Sequence, residues 1–276
     1  MNLNHNQTTG EKSNMLPLHL FNKNHGVIST VFQHSFNVKF PEVLFHVGSI
    51  SESLSATGIT ISDESVDRLL KDVDVGNRVL YKNEQLFIYT NSDIKTISVS
   101  NLNEVDLRIP HVTFDQTPLK QIIAAFKVIN FAEDWGLSDK YSPQTVVDMI
   151  HQSQKDAERN KTLNFLYGRG RGLTPSGDDI IVGCLSILTA VGYPQLTEWQ
   201  EAIHKRLKLG GTTDVSESYI GAALDGYTSK KMVAFLKVIQ TGDIEQLQSA
   251  ILGIQDFGHT SGTDTLLGMY TAFTML

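Results

Sequence analysis

The chain has a single cysteine among 276 residues, so no disulfide framework and no paired-thiol metal or redox site can form, and a reducing compartment is implied. Basic residues are also scarce. Lys and Arg number 23 against 30 Asp and Glu, scattered rather than clustered, which leaves no electrostatic footprint for a nucleic acid. Long apolar runs are missing too. The longest, residues 180–193, is interrupted by Gly183, Ser186, Thr189 and Gly192 and is too short to span a bilayer. The polar opening "MNLNHNQTTGEKSN" lacks the basic-then-apolar order of a secretory signal and reads as a disordered leader over 1–14. A soluble, cytoplasmic protein is expected, with neither nucleic acid nor membrane as partner.

What is present falls into two halves. Over 15–114, short β-branched and aromatic runs such as "VISTVF", "EVLFHVG" and "TISVSN" alternate with turn residues, the signature of strands. "NRVLYKNEQLFIYTN" suggests a hairpin around Lys82–Gln85, although it lacks Asn-Gly. A short helix at "SDESVDRLLKDV", capped by Ser62 or Asp63, interrupts the strands. This half is expected to be a mainly antiparallel sheet or small barrel.

From 115 to 276 the apolar period becomes 3.6. Thr117-Pro118 and Ser142-Pro143 place a cap before a proline at the first helical position. One helix is expected through "TVVDMIHQSQKDAERN". Others follow at "IIVGCLSILTAVGY", "TEWQEAIHKRLKL", "DVSESYIGAALDG", "SKKMVAFLKVIQ", "IEQLQSAILGIQ" and "GTDTLLGMYTAFTML". The fold class is therefore α+β, a β-rich domain followed by a helical bundle.

The chemistry-bearing stretch is "GRGRGLTPSGDD" at 168–179, echoed near the end: "SGDDIIVG" at 176–183 and "SGTDTLLG" at 261–268 share S-G-x-D-x-h-h-G, where h is apolar. Ser176 with Asp179, and Ser261 with Asp264, have the spacing of a capping box. Capping does not call for three glycines in five residues, which imply positive φ or a close backbone approach. Two helix starts facing one pocket would hold a small anion, with Arg169 and Arg171 able to add bidentate contacts. Asp178, outside the capping spacing, could accept a proton or hold a divalent cation such as Mg2+, and no metal ligand set can be assigned. In "GGTTDVSESYIGAALDG" the hydroxyls of Thr212, Thr213 and Ser216 are neutral anion donors or a helix cap, with Gly221 and Ala222 a close helix contact. His259 is a candidate acid or base. Cys184 reads as core. The glycine motif is neither a dinucleotide fingerprint nor a phosphate-binding loop, since no strand leads in and no Lys-Ser/Thr follows.

Together, "GRGRGLTPSGDDIIVG", "TTDVSES" and "GHTSGTDTLLG" resemble a bacterial domain-of-unknown-function family that includes a subunit of the oxamate carbamoyltransferase of anaerobic allantoin breakdown. The resemblance implies a carbamoyltransferase subunit that interconverts oxalurate and phosphate with oxamate and carbamoyl phosphate, alongside other protein subunits. It implies a substrate wall of Gly170, Gly172, Thr174, Ser176 and Gly177, joined by Arg169, Arg171, Thr213, Ser216, Thr260, Ser261 and Gly262. The implied catalytic set is Asp178, Asp179, His259 and Asp264. The competing expectations are a regulatory subunit binding a nucleotide or acyl-CoA, and a purely structural assembly protein.

Overall fold

The computed structural model describes residues 9–16, 24–41, 43–137, 140–256 and 258–276. The chain divides into two compact units, 1–107 and 108–276, each with its own hydrophobic core.

In the first unit lie β1 (Gly10–Ser13), β2 (His25–Val31), β3 (Ser35–Lys39), β4 (Leu44–Ser49), β5 (Gly58–Ile61), α1 (Asp63–Leu70), β6 (Arg78–Lys82), β7 (Gln85–Tyr89), β8 (Ile94–Ser98) and β9 (Asn103–Val105). The strands form one open sheet ordered β8-β7-β6-β2-β3-β4-β5-β1-β9. Every pairing is antiparallel except β4 with β5 and β1 with β9. Val79, Tyr81, Leu86 and Ile88 alternate into the core, as a half-buried strand pair requires. The expected hairpin forms at Asn83–Glu84. Both residues take positive φ, 51° and 57°, the conformation whose twist matches the flanking strands.

The disordered leader expected over 1–14 does not hold from residue 10 onward; residues 1–8 lie outside the described residues. Gly10–Ser13 are a strand because they pair with both β5 and β9. Gly10 permits this, since a Cβ there would overlap the Thr60 carbonyl oxygen.

The second unit starts before residue 115. Ile109 N–H donates to Gly226 and Val112 N–H to Ala190, which ties 108–112 to the helices. Its elements are α2 (Leu119–Ala125), a 3-10 turn (Phe126–Val128), α3 (Phe131–Asp134), α4 (Pro143–His151), α5 (Asp156–Leu166), α6 (Ser176–Val191), α7 (Leu196–Leu207), α8 (Asp214–Leu224), α9 (Lys230–Ile239), α10 (Ile244–Gln255) and α11 (Ser261–Thr274). Ser142 caps α4 as expected, accepting from Thr145 N–H, with Pro143 in the first turn. Thr117 does not cap α2. Its hydroxyl donates to Ile239 O at 2.6 Å, and Pro118 itself occupies the cap position.

The single helix expected across 145–160 is two. Ser153 Oγ donates back to Met149 O at 2.7 Å and to Thr162 Oγ1 at 2.8 Å, which diverts a carbonyl and a side chain into a turn between α4 and α5. On α5, the buried Arg159 bonds Gln195 Oε1 at 3.2 Å and lies over the Trp199 ring, fixing α5 to α7.

The two apolar helices α6 and α11 are central, as their sequences suggest, and they cross backbone to backbone. A Cβ on Gly183 would overlap Thr265 O, and one on Gly268 would overlap Ile180 O. Among the described residues no helix is long and apolar enough to cross a membrane.

Candidate functional site

The loop before α6 meets the expectation of unusual backbone. Gly168, Gly170 and Gly172 have φ of 69°, 131° and 84°. What they approach closely is the chain itself. A Cβ on Gly168 would strike Gly211 O, and one on Gly170 would strike Ser176 N. Arg169 O accepts from Gly177 N–H at 2.8 Å, so the loop folds back over the start of α6.

Neither capping box forms. Pro175 and Thr260 hold the cap positions of α6 and α11 without a side-chain cap bond, and Ser176 and Ser261 are the first helical residues. The serines are used across the repeat instead. The Ser261 hydroxyl stabilises the charged form of Asp179, and the Ser176 hydroxyl that of Asp264. Thr174 Oγ1 and Ser261 Oγ are 2.6 Å apart. The glycines follow the same reciprocity. Gly177 lets α6 start against Leu166 O, and Gly262 lets α11 start against Ile254 O. Gly183 and Gly268 then carry the mutual crossing. The two repeats are thus related by a local two-fold in which each motif completes the other.

Asp179 and Asp264 are buried, and Oδ2 of each has no hydrogen-bond partner among the described residues. Burial drives the Asp179 carboxyl well above the ordinary carboxylate range, and the charges of Asp264 and Asp178 push it further against the pull of Ser261 and Thr174. Burial raises Asp264 as well, opposed by Gly136 N–H, Ser176 and Thr260. Gly136 N–H donates to Asp264 Oδ1 at 3.0 Å. The Cα of Gly136 faces a ring of oxygens: its missing Cβ would overlap the Ser176 and Thr260 hydroxyls and lie 2.9 Å from Asp264 Oδ2. Gly136→Ala should therefore fold, because side chains can give way, yet displace those hydroxyls. We expect circular dichroism to match wild type while the melting temperature falls by about 2–4 °C, the cost of about 1 kcal/mol of disturbed hydrogen bonding.

Asp178 faces the other side of α6. Its oxygens accept from Gly168 N–H at 2.8 Å and from the Thr212 hydroxyl, which link the glycine loop to the lead into α8. Burial raises its pKa, while Thr212, Gly168, Ser216 and Arg206 hold it down. Thr213 caps α8, accepting from Ser216 N–H at 3.1 Å and donating to Leu173 O. Gly221 makes no close helix contact, since nothing lies within 4 Å of its Cβ position.

Other sequence candidates lie apart from the carboxyl pair. The Arg169 guanidinium sits over the Phe165 ring, 4.2 Å from its centroid, and also over Tyr141. Arg171 and Gly172 are exposed, as is His259. Cys184 is buried in the core, and desolvation pushes its thiol up to about 12. Among the described residues no group of three or more His, Cys, Asp or Glu side chains could hold a metal ion.

Sequence reasoning passed over Gly136, Tyr167 and Arg206. Gly136 lies in "EDWGLSDK", which carries no motif. Arg206 stands four residues before "GG", where its role becomes visible only once Gly211 meets Gly168.

No solved structure matches the chain. Residues 166–273, the stretch that holds the three motifs, match the family model described as oxamate carbamoyltransferase subunit AllH, and through that stretch the chain is related to the family those motifs resemble.

Proposed function

We propose that this chain is a cytoplasmic subunit of a multi-component carbamoyltransferase of the oxamate carbamoyltransferase kind, serving purine and allantoin nitrogen catabolism. It seats a small amide-bearing anion at the paired starts of α6 and α11, and it acts with other protein subunits. The observation that carries the reading is the pair of buried carboxyl oxygens, Asp179 Oδ2 and Asp264 Oδ2, that have no hydrogen-bond partner among the described residues. Burying such groups unpaired costs about 1–3 kcal/mol each, which a structural motif would have little reason to retain twice. A bound carbamoyl or amide group, which offers both N–H donors and a carbonyl acceptor, supplies the missing partners.

In the reaction proposed, a phosphate oxygen attacks the terminal carbamoyl carbon of oxalurate. The bond from that carbon to the oxamate nitrogen breaks, giving carbamoyl phosphate and oxamate. The leaving nitrogen needs a proton. Asp179, whose carboxyl burial pushes well above the ordinary carboxylate range, is the group proposed to give it and to take a proton back from the attacking phosphate. The amides at the start of α11 stabilise the negative oxygen that develops on the carbonyl, while the hydroxyls of Ser176, Thr260 and Ser261 hold the two carboxyls in place.

The test is reconstitution with the partner subunits. Ser176→Ala and Asp264→Asn should each lower turnover by about a hundredfold at unchanged thermal stability, the magnitude of a lost acid–base or oxyanion contact. Turnover that matches wild type in both variants would sink the reading.

A further inference from the structure

Around Asp178 at the start of α6, three elements converge: the Tyr167–Gly168 end of α5, the α7 end with its Arg206-to-Gly211 tail, and the first turn of α8. Arg206 lies flat on Tyr167, its guanidinium carbon 4.2 Å from the ring centroid. Nη1 donates to Gly210 O at 2.6 Å, which locks the planar fork. Nη2 stands 3.4 Å from the place a Cβ on Gly211 would occupy, so glycine keeps that side of the fork uncovered. Gly210 and Gly211 take φ of 68° and 102°, a turn that bulkier residues would strain.

Two donors here are unused. Arg206 Nε and the Tyr167 hydroxyl are buried with no partner among the described residues, and Tyr167 is only 5 % exposed. A buried donor left unsatisfied costs about 1–3 kcal/mol, and two such donors on stacked side chains beside a locked guanidinium have the chemistry of an oxyanion seat. Asp178 and Glu217 add negative charge nearby, but both Asp178 oxygens already accept, from Gly168 N–H and the Thr212 hydroxyl, so Asp178 does not take up the free donors of Arg206 and Tyr167. Glu217 and Asp178 raise the Tyr167 phenol alongside burial, to about 12, so the hydroxyl stays a donor throughout the working range.

We propose that Arg206 and Tyr167 form the seat for the oxyanion end of the substrate, a phosphate or carboxylate group, in place of Arg169 and Arg171. This rests on the reading of the chain as a binder of small anions. The motif arginine Arg169 is engaged on Phe165 and Tyr141, whereas Arg206 is presented by the glycine loops that the motifs encode.

The experiment is isothermal titration of the full chain, and of the reconstituted complex, with inorganic phosphate and separately with oxamate. Arg206→Lys keeps the charge and the stem on Tyr167 but loses the fork, and it should weaken at least one ligand about tenfold. Tyr167→Phe should weaken the same ligand about threefold. Lys208→Gln, which removes a charge two residues along, should change neither by more than about twofold. Loss confined to phosphate identifies the attacking group as the occupant, and loss confined to oxamate identifies the carboxylate. Wild-type binding in Arg206→Lys, an equal loss in Lys208→Gln and Arg206→Gln, or no binding by the wild-type chain and complex would overturn the inference. If Ser176→Ala and Asp264→Asn still abolish turnover in that case, the proposed function stands without this seat.

Discussion

Replacing Asp179 by asparagine is expected to abolish turnover and to stabilise the protein at neutral pH. The native carboxyl has a raised pKa, whereas in the unfolded chain it titrates near the ordinary aspartate value of about 3.9. Between those two values the folded state binds the extra proton. Native stability is then fully present below the unfolded pKa and falls as pH rises, by about 1.4 kcal/mol per pH unit, until the native pKa is passed. Asparagine is neutral throughout and nearly the same shape, so the variant escapes this loss. Thermal melts of wild type and Asp179→Asn should nearly coincide at pH 4 and diverge as pH rises, the variant melting higher. Each kcal/mol corresponds to roughly 2–4 °C for a chain of this size. Activity should fall by about a hundredfold or more, the usual cost of a missing proton donor. A melting difference that stays flat from pH 4 to pH 8 would mean that Asp179 ionises normally and is not the acid.

Gly268→Ala and Gly183→Ala should be among the most damaging single methyls in the second unit. Each would push a Cβ into a carbonyl oxygen of the facing helix, Ile180 O or Thr265 O, and neither backbone can yield without parting α6 from α11. We expect a loss of about 3 kcal/mol or more, at the upper end of overpacking effects, read by denaturant unfolding. Gly221→Ala in α8 is the control. Nothing lies within 4 Å of its Cβ position, so the better helix former should add about 0.5–1 kcal/mol. Equal effects at Gly268 and Gly221 would contradict the close crossing.

Much of this architecture was legible because it is local. The β6–β7 hairpin and the Ser142 cap depend on residues within a few positions of one another. The errors came where a side chain had two partners to choose from. Ser176 and Ser261 have capping spacing, yet their hydroxyls serve the carboxyl of the other repeat, a choice made by the α6–α11 crossing and invisible along one helix. Ser153 broke an expected helix for a similar reason, through a bond to Thr162 that belongs to the next element. The glycine loop was legible as unusual backbone, while its neighbours Gly211 and Arg206 were not, since their approach is set by the α7–α8 turn.

The exchange of serines between the two repeats has a consequence for how function can fail. Asp179 sits near the middle of the second unit's sequence and Asp264 near its end, and neither has its hydroxyl until the other helix is in place. On the proposed function, a fragment that ends before α11 lacks Asp264 and the Ser261 hydroxyl that Asp179 uses. Enzymatic activity should then behave as an all-or-none reporter of the whole helical unit, vanishing with the first loosening of α11 rather than declining as separate parts are lost.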